Sequence, residues 1–200
     1  MNNVESIDKL VGRDVLSFET ANKLGQIVDL LADPLSGQLA GFAIQTTTNQ
    51  SEALVSIRDV HGIGPDAIMV EGEESLVLTD ASPLKPLPRS KRDLVGVKVL
   101  TEHGQLLGNI ANLFLFISKR PVFIYEVRSS LLDKLLGRAF YFAASLGCAF
   151  SDDRTALIVS SEPELMDNRV EAATERLLGP YGSSARPALP VQVHVRSHAD

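Results

Sequence analysis

The sequence predicts a mainly β protein: two copies of one small β-barrel in tandem, then a C-terminal helix and a flexible tail. Three observations carry that expectation. A sequence motif recurs once at a fixed offset, apolar runs are short and bounded by turn residues, and a proline-rich stretch divides the chain near its middle.

The repeat is clearest where each copy opens. Leu10-Val11-Gly12-Arg13-Asp14-Val15-Leu16 matches Leu94-Val95-Gly96-Val97-Lys98-Val99-Leu100 at five of seven positions. Leu24-Gly25-Gln26-Ile27 then matches Leu107-Gly108-Asn109-Ile110, and Asp66-Ala67-Ile68-Met69-Val70 corresponds to Thr155-Ala156-Leu157-Ile158-Val159. In the first copy, strands are expected near 14–17, 25–32, 38–45, 53–57 and 67–70. Asp33-Pro34-Leu35-Ser36-Gly37 supplies a hairpin turn, because proline fixes φ and glycine accepts positive φ. The second copy is expected to place strands near 97–100, 108–117, 122–128, 139–143 and 156–159, with Ser118-Lys119-Arg120-Pro121 at the hairpin. Short strands without a long crossover helix favour a closed or nearly closed barrel, which removes exposed sheet edges.

The expected boundaries follow. Residues 6–80 form the first barrel and 92–160 the second, joined by 81–91, whose alternating prolines (Pro83, Pro86, Pro88) favour an extended connector. Ser161-Glu162-Pro163-Glu164 has capping-box spacing, and Met166, Val170, Ala173 and Leu177 recur on one helical face, so a helix is expected over 161–179. Gly179-Pro180 ends it. Residues 180–200 lack an apolar cluster and are read as a mobile tail, although Val191-Gln192-Val193-His194-Val195 alternates as an added strand would.

Composition narrows the function classes. Cys148 is the only cysteine, so no internal disulfide can form and a reducing cytoplasm is expected. Neither a signal peptide nor a membrane span is expected, since the first residues lack a basic segment followed by an apolar run and no run of about 18 apolar residues occurs. The net charge of −6 is unevenly distributed: residues 1–80 carry four basic and thirteen acidic residues, residues 81–160 eleven basic and six acidic ones. Nucleic acid is therefore disfavoured as a partner of the whole chain. The basic stretch Lys85 to Arg92 and the pair Lys119-Arg120 keep RNA as an alternative, but neither interleaves aromatic residues for base stacking.

Candidate chemistry is sparse. Gly62-Ile63-Gly64-Pro65-Asp66-Ala67 fits a G-x-G-x-x-A pattern, but a strand rather than a helix is expected after it, so helix N–H groups would not meet a pyrophosphate. His194 and His198 are spaced as two ligands on a helix, yet the stretch is β-patterned and terminal, and no metal site is expected. Cys148 lies beside Ala149 and Phe150 and reads as a small buried hydrophobe. Asp152-Asp153 reads as a turn, and no G-x-S-x-G elbow occurs. No catalytic residues and no cofactor are expected.

Two apolar clusters remain as partner-binding candidates. In Leu113-Phe114-Leu115-Phe116-Ile117, alternation should turn about half of the strand outward, and Leu113, Leu115 and Ile117 share one face. Packing against the rest of the chain and capture of a partner are both open readings, with internal packing favoured because a tandem pair offers a covering surface. Leu131, Leu132, Leu135 and Leu136 cluster on a short expected helix, read as a barrel lid or a docking knob.

The L-V-G-x-x-V-L opening, the L-G-x-I start of the second strand and the closing stretch from Ile57 to Val70 together resemble the PRC-barrel family. The likeness covers roughly residues 8–160, and Leu131 to Arg138 resembles the family's variable segment. The second copy departs at Ser145-Leu146-Gly147-Cys148-Ala149-Phe150, where small and apolar residues replace a polar turn. The family includes the cytoplasmic domain of the photosynthetic reaction-centre H subunit and a ribosome-maturation factor that docks a ribosomal protein. The resemblance implies a non-enzymatic adaptor that binds a protein partner or complex, cytoplasmic or peripheral at the cytoplasmic face of a photosynthetic or other bioenergetic membrane. Its alternative is an adaptor in ribosome maturation or RNA metabolism.

Overall fold

A computed structural model describes residues 4–129, 139–144, 148–151, 155–159 and 168–178. The molecule is mainly β. The chain runs through β1 (Val4–Ser6), α1 (Ile7–Leu10), β2 (Asp14–Ser17), β3 (Lys23–Ala32), β4 (Leu39–Thr46), β5 (Glu52–Ser56), β6 (Val60–Ile63), β7 (Ala67–Val70) and β8 (Val77–Leu78). Then follow β9 (Lys98–Thr101), β10 (Leu106–Phe116), β11 (Val122–Arg128), β12 (Phe140–Ala143), β13 (Cys148–Phe150), β14 (Ala156–Val159) and α2 (Val170–Leu178).

The described strands form two curled sheets. One has the order β6-β7-β2-β3-β4-β5-β8, the other β12-β11-β10-β9-β14-β13, with β1 paired to β10 outside that path. Each sheet contains an antiparallel meander whose first strand also takes a parallel neighbour from later in the chain. Asp14–Ser17 pairs in parallel with Ala67–Val70, and Lys98–Thr101 with Ala156–Val159.

The repeated glycines have physical reasons. Gly12 and Gly96 hold φ of +87° and +92°, a region L side chains rarely adopt, and their N–H groups donate to Ile27 O and Ile110 O, both at 2.8 Å. A Cβ on Gly25 would collide with the Gln45 carbonyl, and one on Gly108 with the Arg128 carbonyl. The long strands bulge at matched places as well, between Ile27 and Asp29 in β3 and between Ile110 and Asn112 in β10. A bulge bends a strand and raises its twist, which lets these sheets curl.

The two halves are not separate bodies. Each is preceded by a short arm that crosses to the other. Val4–Ser6 pairs with Phe114–Phe116 in the second sheet, and Arg89, just ahead of the second copy, bridges Leu31 in the first. The polar fixings are reciprocal: Asn112 Nδ2 donates to Ser6 Oγ at 3.3 Å, and Ser90 Oγ donates to Asp29 Oδ1 at 2.8 Å. Ser6 and Ser90 hold equivalent places in the repeat, as do Asp29 and Asn112. A further bridge joins Gln38 to Val122, and the Leu39 N–H donates to Pro121 O at 2.8 Å.

Packing follows the same plan. One connected cluster of buried apolar side chains contains residues of both sheets, among them Phe42, Ile44, Ile68, Leu113, Phe123 and Tyr125. Ile7 and Leu10 of α1 and Leu94 of the π-helical turn Ser90–Leu94 join it. The opposite face of each sheet is covered by the segment that follows it. Leu84 and Leu87 of the connector lie on Leu31, Ala43 and Leu54, while Val170 and Ala173 of α2 lie on Phe116 and Ile124. The connector is thus fastened to the first sheet instead of spanning solvent.

Candidate interaction surface

Of the residues singled out from the sequence, Leu113 and Leu115 are fully buried in the shared core. Ile117 is partly buried against it. Their neighbours Phe114 and Phe116 point to the other face, where β1, Tyr141 and α2 cover them. Both faces of this apolar strand are therefore closed by the chain itself. Leu131, Leu132, Leu135 and Leu136 lie outside the described residues, as do Asp152, Asp153, His194, His198 and residues 161–167 and 180–200. Gly62 to Ala67 joins β6 to β7, so a strand follows it and no helix N-terminus is presented.

The basic connector is already occupied. Lys85 pairs with Asp80 at 2.6 Å, Lys91 with Asp8 at 2.8 Å and Arg92 with Asp93 at 2.8 Å. Arg89, 8% exposed, forms a fork onto both Glu52 carboxylate oxygens, and Thr79 Oγ1 adds a bond to Glu52 Oε1 at 3.0 Å. The Arg89 guanidinium foremost, then the Thr79 hydroxyl, hold the Glu52 carboxyl below its ordinary range against an opposing effect of burial. Asp93 is likewise lowered, first by Arg92. Arg89 and Lys91 tie the arm to the first half, the first through a largely buried pair with Glu52 and the second through an exposed pair with Asp8.

Among the described residues, large apolar side chains are exposed in both halves, including Phe18 and Leu35 in turns of the first and Leu106 and Phe140 in the second. Phe18, in the turn after β2, is 60% exposed and stacks on His61 with ring centroids 4.2 Å apart and planes 21° apart. His61 Nε2 lies 2.5 Å from Glu71 Oε2. The turn is fixed from below by the Phe18 N–H bonding Val70 O at 2.7 Å and the Glu19 N–H bonding Glu71 O at 3.3 Å. Beside it opens a groove of about 740 Å³ whose lining includes Glu19, Asn22, Thr47, Glu73, Glu74 and Leu76. A second groove of about 550 Å³ runs between Asp33, Leu54, Arg58, Val77 and Pro83.

Phe18 was not among the residues expected from sequence. The signal was available: position 18 is equivalent to Glu102 in the second copy, so the repeat itself does not require an aromatic there. An isolated aromatic in a polar turn is weak on its own, and its partner His61 lies 43 residues further on.

A scan against protein-family models and a search of curated proteins both return no match for this chain. Among the described residues no group of three or more His, Cys, Asp or Glu is placed to hold a metal ion, and no helix is long and apolar enough to cross a membrane.

Proposed function

We propose that this chain is a non-enzymatic tandem PRC-barrel adaptor that docks onto a protein complex, at the cytoplasmic face of a photosynthetic or other bioenergetic membrane. One observation supports the tandem part of this reading, and the family part rests on the sequence resemblance. The two halves have the same meander, the same bulge position and the same parallel closing strand, each launched by the glycine of the repeated L-V-G motif. In this proposal each curled sheet is one barrel unit, and the reciprocal arms hold the pair at a fixed relative angle. A rigid two-unit body with its polar turns outward suits an adaptor, because docking then costs little ordering entropy. The membrane location rests on the resemblance alone.

The burial of Arg89 on Glu52 removes one cation of the connector from the ribosome or RNA alternative. The test is in-cell cross-linking of the tagged full chain in its native organism, followed by mass spectrometry. A defined set of subunits of one membrane-associated bioenergetic complex is the expected result. Enrichment of ribosomal proteins would replace this reading with the alternative, and recovery of the tagged chain by itself would remove the adaptor reading.

A further inference from the structure

We infer that the Phe18 turn is a docking point for an arginine-bearing segment of a protein partner, an inference that rests on the adaptor reading and names the chemistry of its surface. Phe18 uses one ring face on His61 and leaves more than half of its surface in water. Exposing a phenylalanine in this way forfeits the burial that drives folding, and the second copy, in a turn one residue shorter, has Glu102 at the equivalent position. The residue is thus not demanded by the fold.

The charges around it specify the occupant. Glu71 is taken by His61, but Glu19, next to Phe18 in the turn, lines the neighbouring groove together with Glu73 and Glu74. Lys23, the ammonium group in that groove's lining, is held by Asp14 at 2.7 Å. An aromatic face flanked by carboxylates attracts a cation. A guanidinium fits better than an ammonium, because it stacks flat on a ring while its edge donates two parallel bonds to a carboxylate. Phosphate-bearing partners meet repulsion on the same ground. The groove running from the turn accommodates the flanking residues of an extended segment.

The test uses the full-length, isotopically labelled protein and N-acetyl-arginine amide as the probe, with the uncharged citrulline analogue and N-acetyl-lysine amide as comparisons. Saturable amide shifts confined to Phe18, Glu19, His61, Glu71 and the groove are expected, in the millimolar range typical of one side chain. The lysine analogue should bind more weakly and the citrulline analogue hardly at all. Phe18→Ala should weaken arginine binding about fivefold, the equivalent of one exposed cation–π contact. Because Phe18 is exposed the variant should keep the remaining spectrum, and Glu19→Gln provides a second variant that leaves the ring in place. Equal shifts from the citrulline analogue, or unchanged arginine binding in both variants, would overturn the site whatever the cross-linking experiment gives. Saturable binding that Phe18→Ala weakens supports the site even if no complex is recovered, in which case only the adaptor reading falls.

Discussion

Asp29 shows how much can depend on one carboxylate. It is 5% exposed, and it accepts hydrogen bonds from the Leu30 N–H at 2.8 Å, Ser90 Oγ at 2.8 Å, the Lys91 N–H at 3.0 Å and the Arg92 N–H at 3.1 Å. A bulge in β3 frees the position to face the arm, and the carboxylate then caps the turn that opens the second copy. The second copy uses Asn112 at the equivalent place, where one hydroxyl and one neighbouring N–H suffice. Asp29→Asn turns one acceptor into a donor facing backbone N–H groups, so it should lower stability by about 1–3 kcal/mol in urea titration, the cost of buried donors left unpaired. Glu52 adds a pH dependence. Arg89 depresses its folded-state pKa, so its contribution is present above the ordinary carboxylate value of 4.5 and is lost as pH falls through the depressed folded value. The stability gap between the protein and Glu52→Gln should therefore narrow as the pH of the denaturation series is lowered from about 6 to about 3. A gap that widens on acidification would contradict the pairing.

At the scale of elements, the arms and outer covers distinguish this molecule from two barrels strung on a line. β1 is only three residues long and would not persist alone. It is held by its pairing with β10 and by Arg13, whose guanidinium is bonded to Glu5 Oε2 at 2.6 Å and also reaches the Gly64 carbonyl. Ser6 then caps α1 by accepting the Asp8 N–H at 3.4 Å. α2, nine residues long, is likewise too short to be stable in isolation and depends on the sheet beneath it. Ala173 is 1% exposed against Phe116 and Ile124. Ala173→Asp should lower stability by about 2–4 kcal/mol, since an unpaired carboxylate would enter an apolar contact. Thermal melts of the free protein check this. An unchanged melting temperature would mean that the helix contributes nothing to the fold and would free it for a partner.

Across the whole molecule, the shared core makes a thermodynamic claim. Residues of both sheets belong to one buried cluster, and two arms and the further bridge between Gln38 and Val122 cross between them. Neither half can open without exposing apolar surface of the other. Calorimetry should therefore show one transition with a van't Hoff to calorimetric enthalpy ratio near about 1, the mark of cooperative unfolding. Asp29→Asn in the first half and Ala173→Asp beyond the second should both shift that same transition. Two resolved transitions, each moved by only one of the substitutions, would show that the halves unfold independently.

The amino-acid sequence by itself determined the β character, the positions of most strands and the twofold repetition, because these rest on local signals. Alternation, turn residues and glycines needed at Gly12, Gly25, Gly96 and Gly108 are visible along the chain. It also showed that Leu113, Leu115 and Ile117 needed a cover. Only the tertiary structure decided what the cover is, since burial depends on which segments meet across the fold. The same holds for the connector. Its prolines suggest an extended spacer, but Leu84 and Leu87 fasten it to the first sheet and its cations are taken by Asp8, Glu52, Asp80 and Asp93. Ion pairs between residues as far apart as Asp8 and Lys91 have no periodic signature, and neither does the stacking of Phe18 on His61. Strands are written in short-range pattern, whereas arms, latches and the exposed aromatic turn exist only once distant segments are brought together.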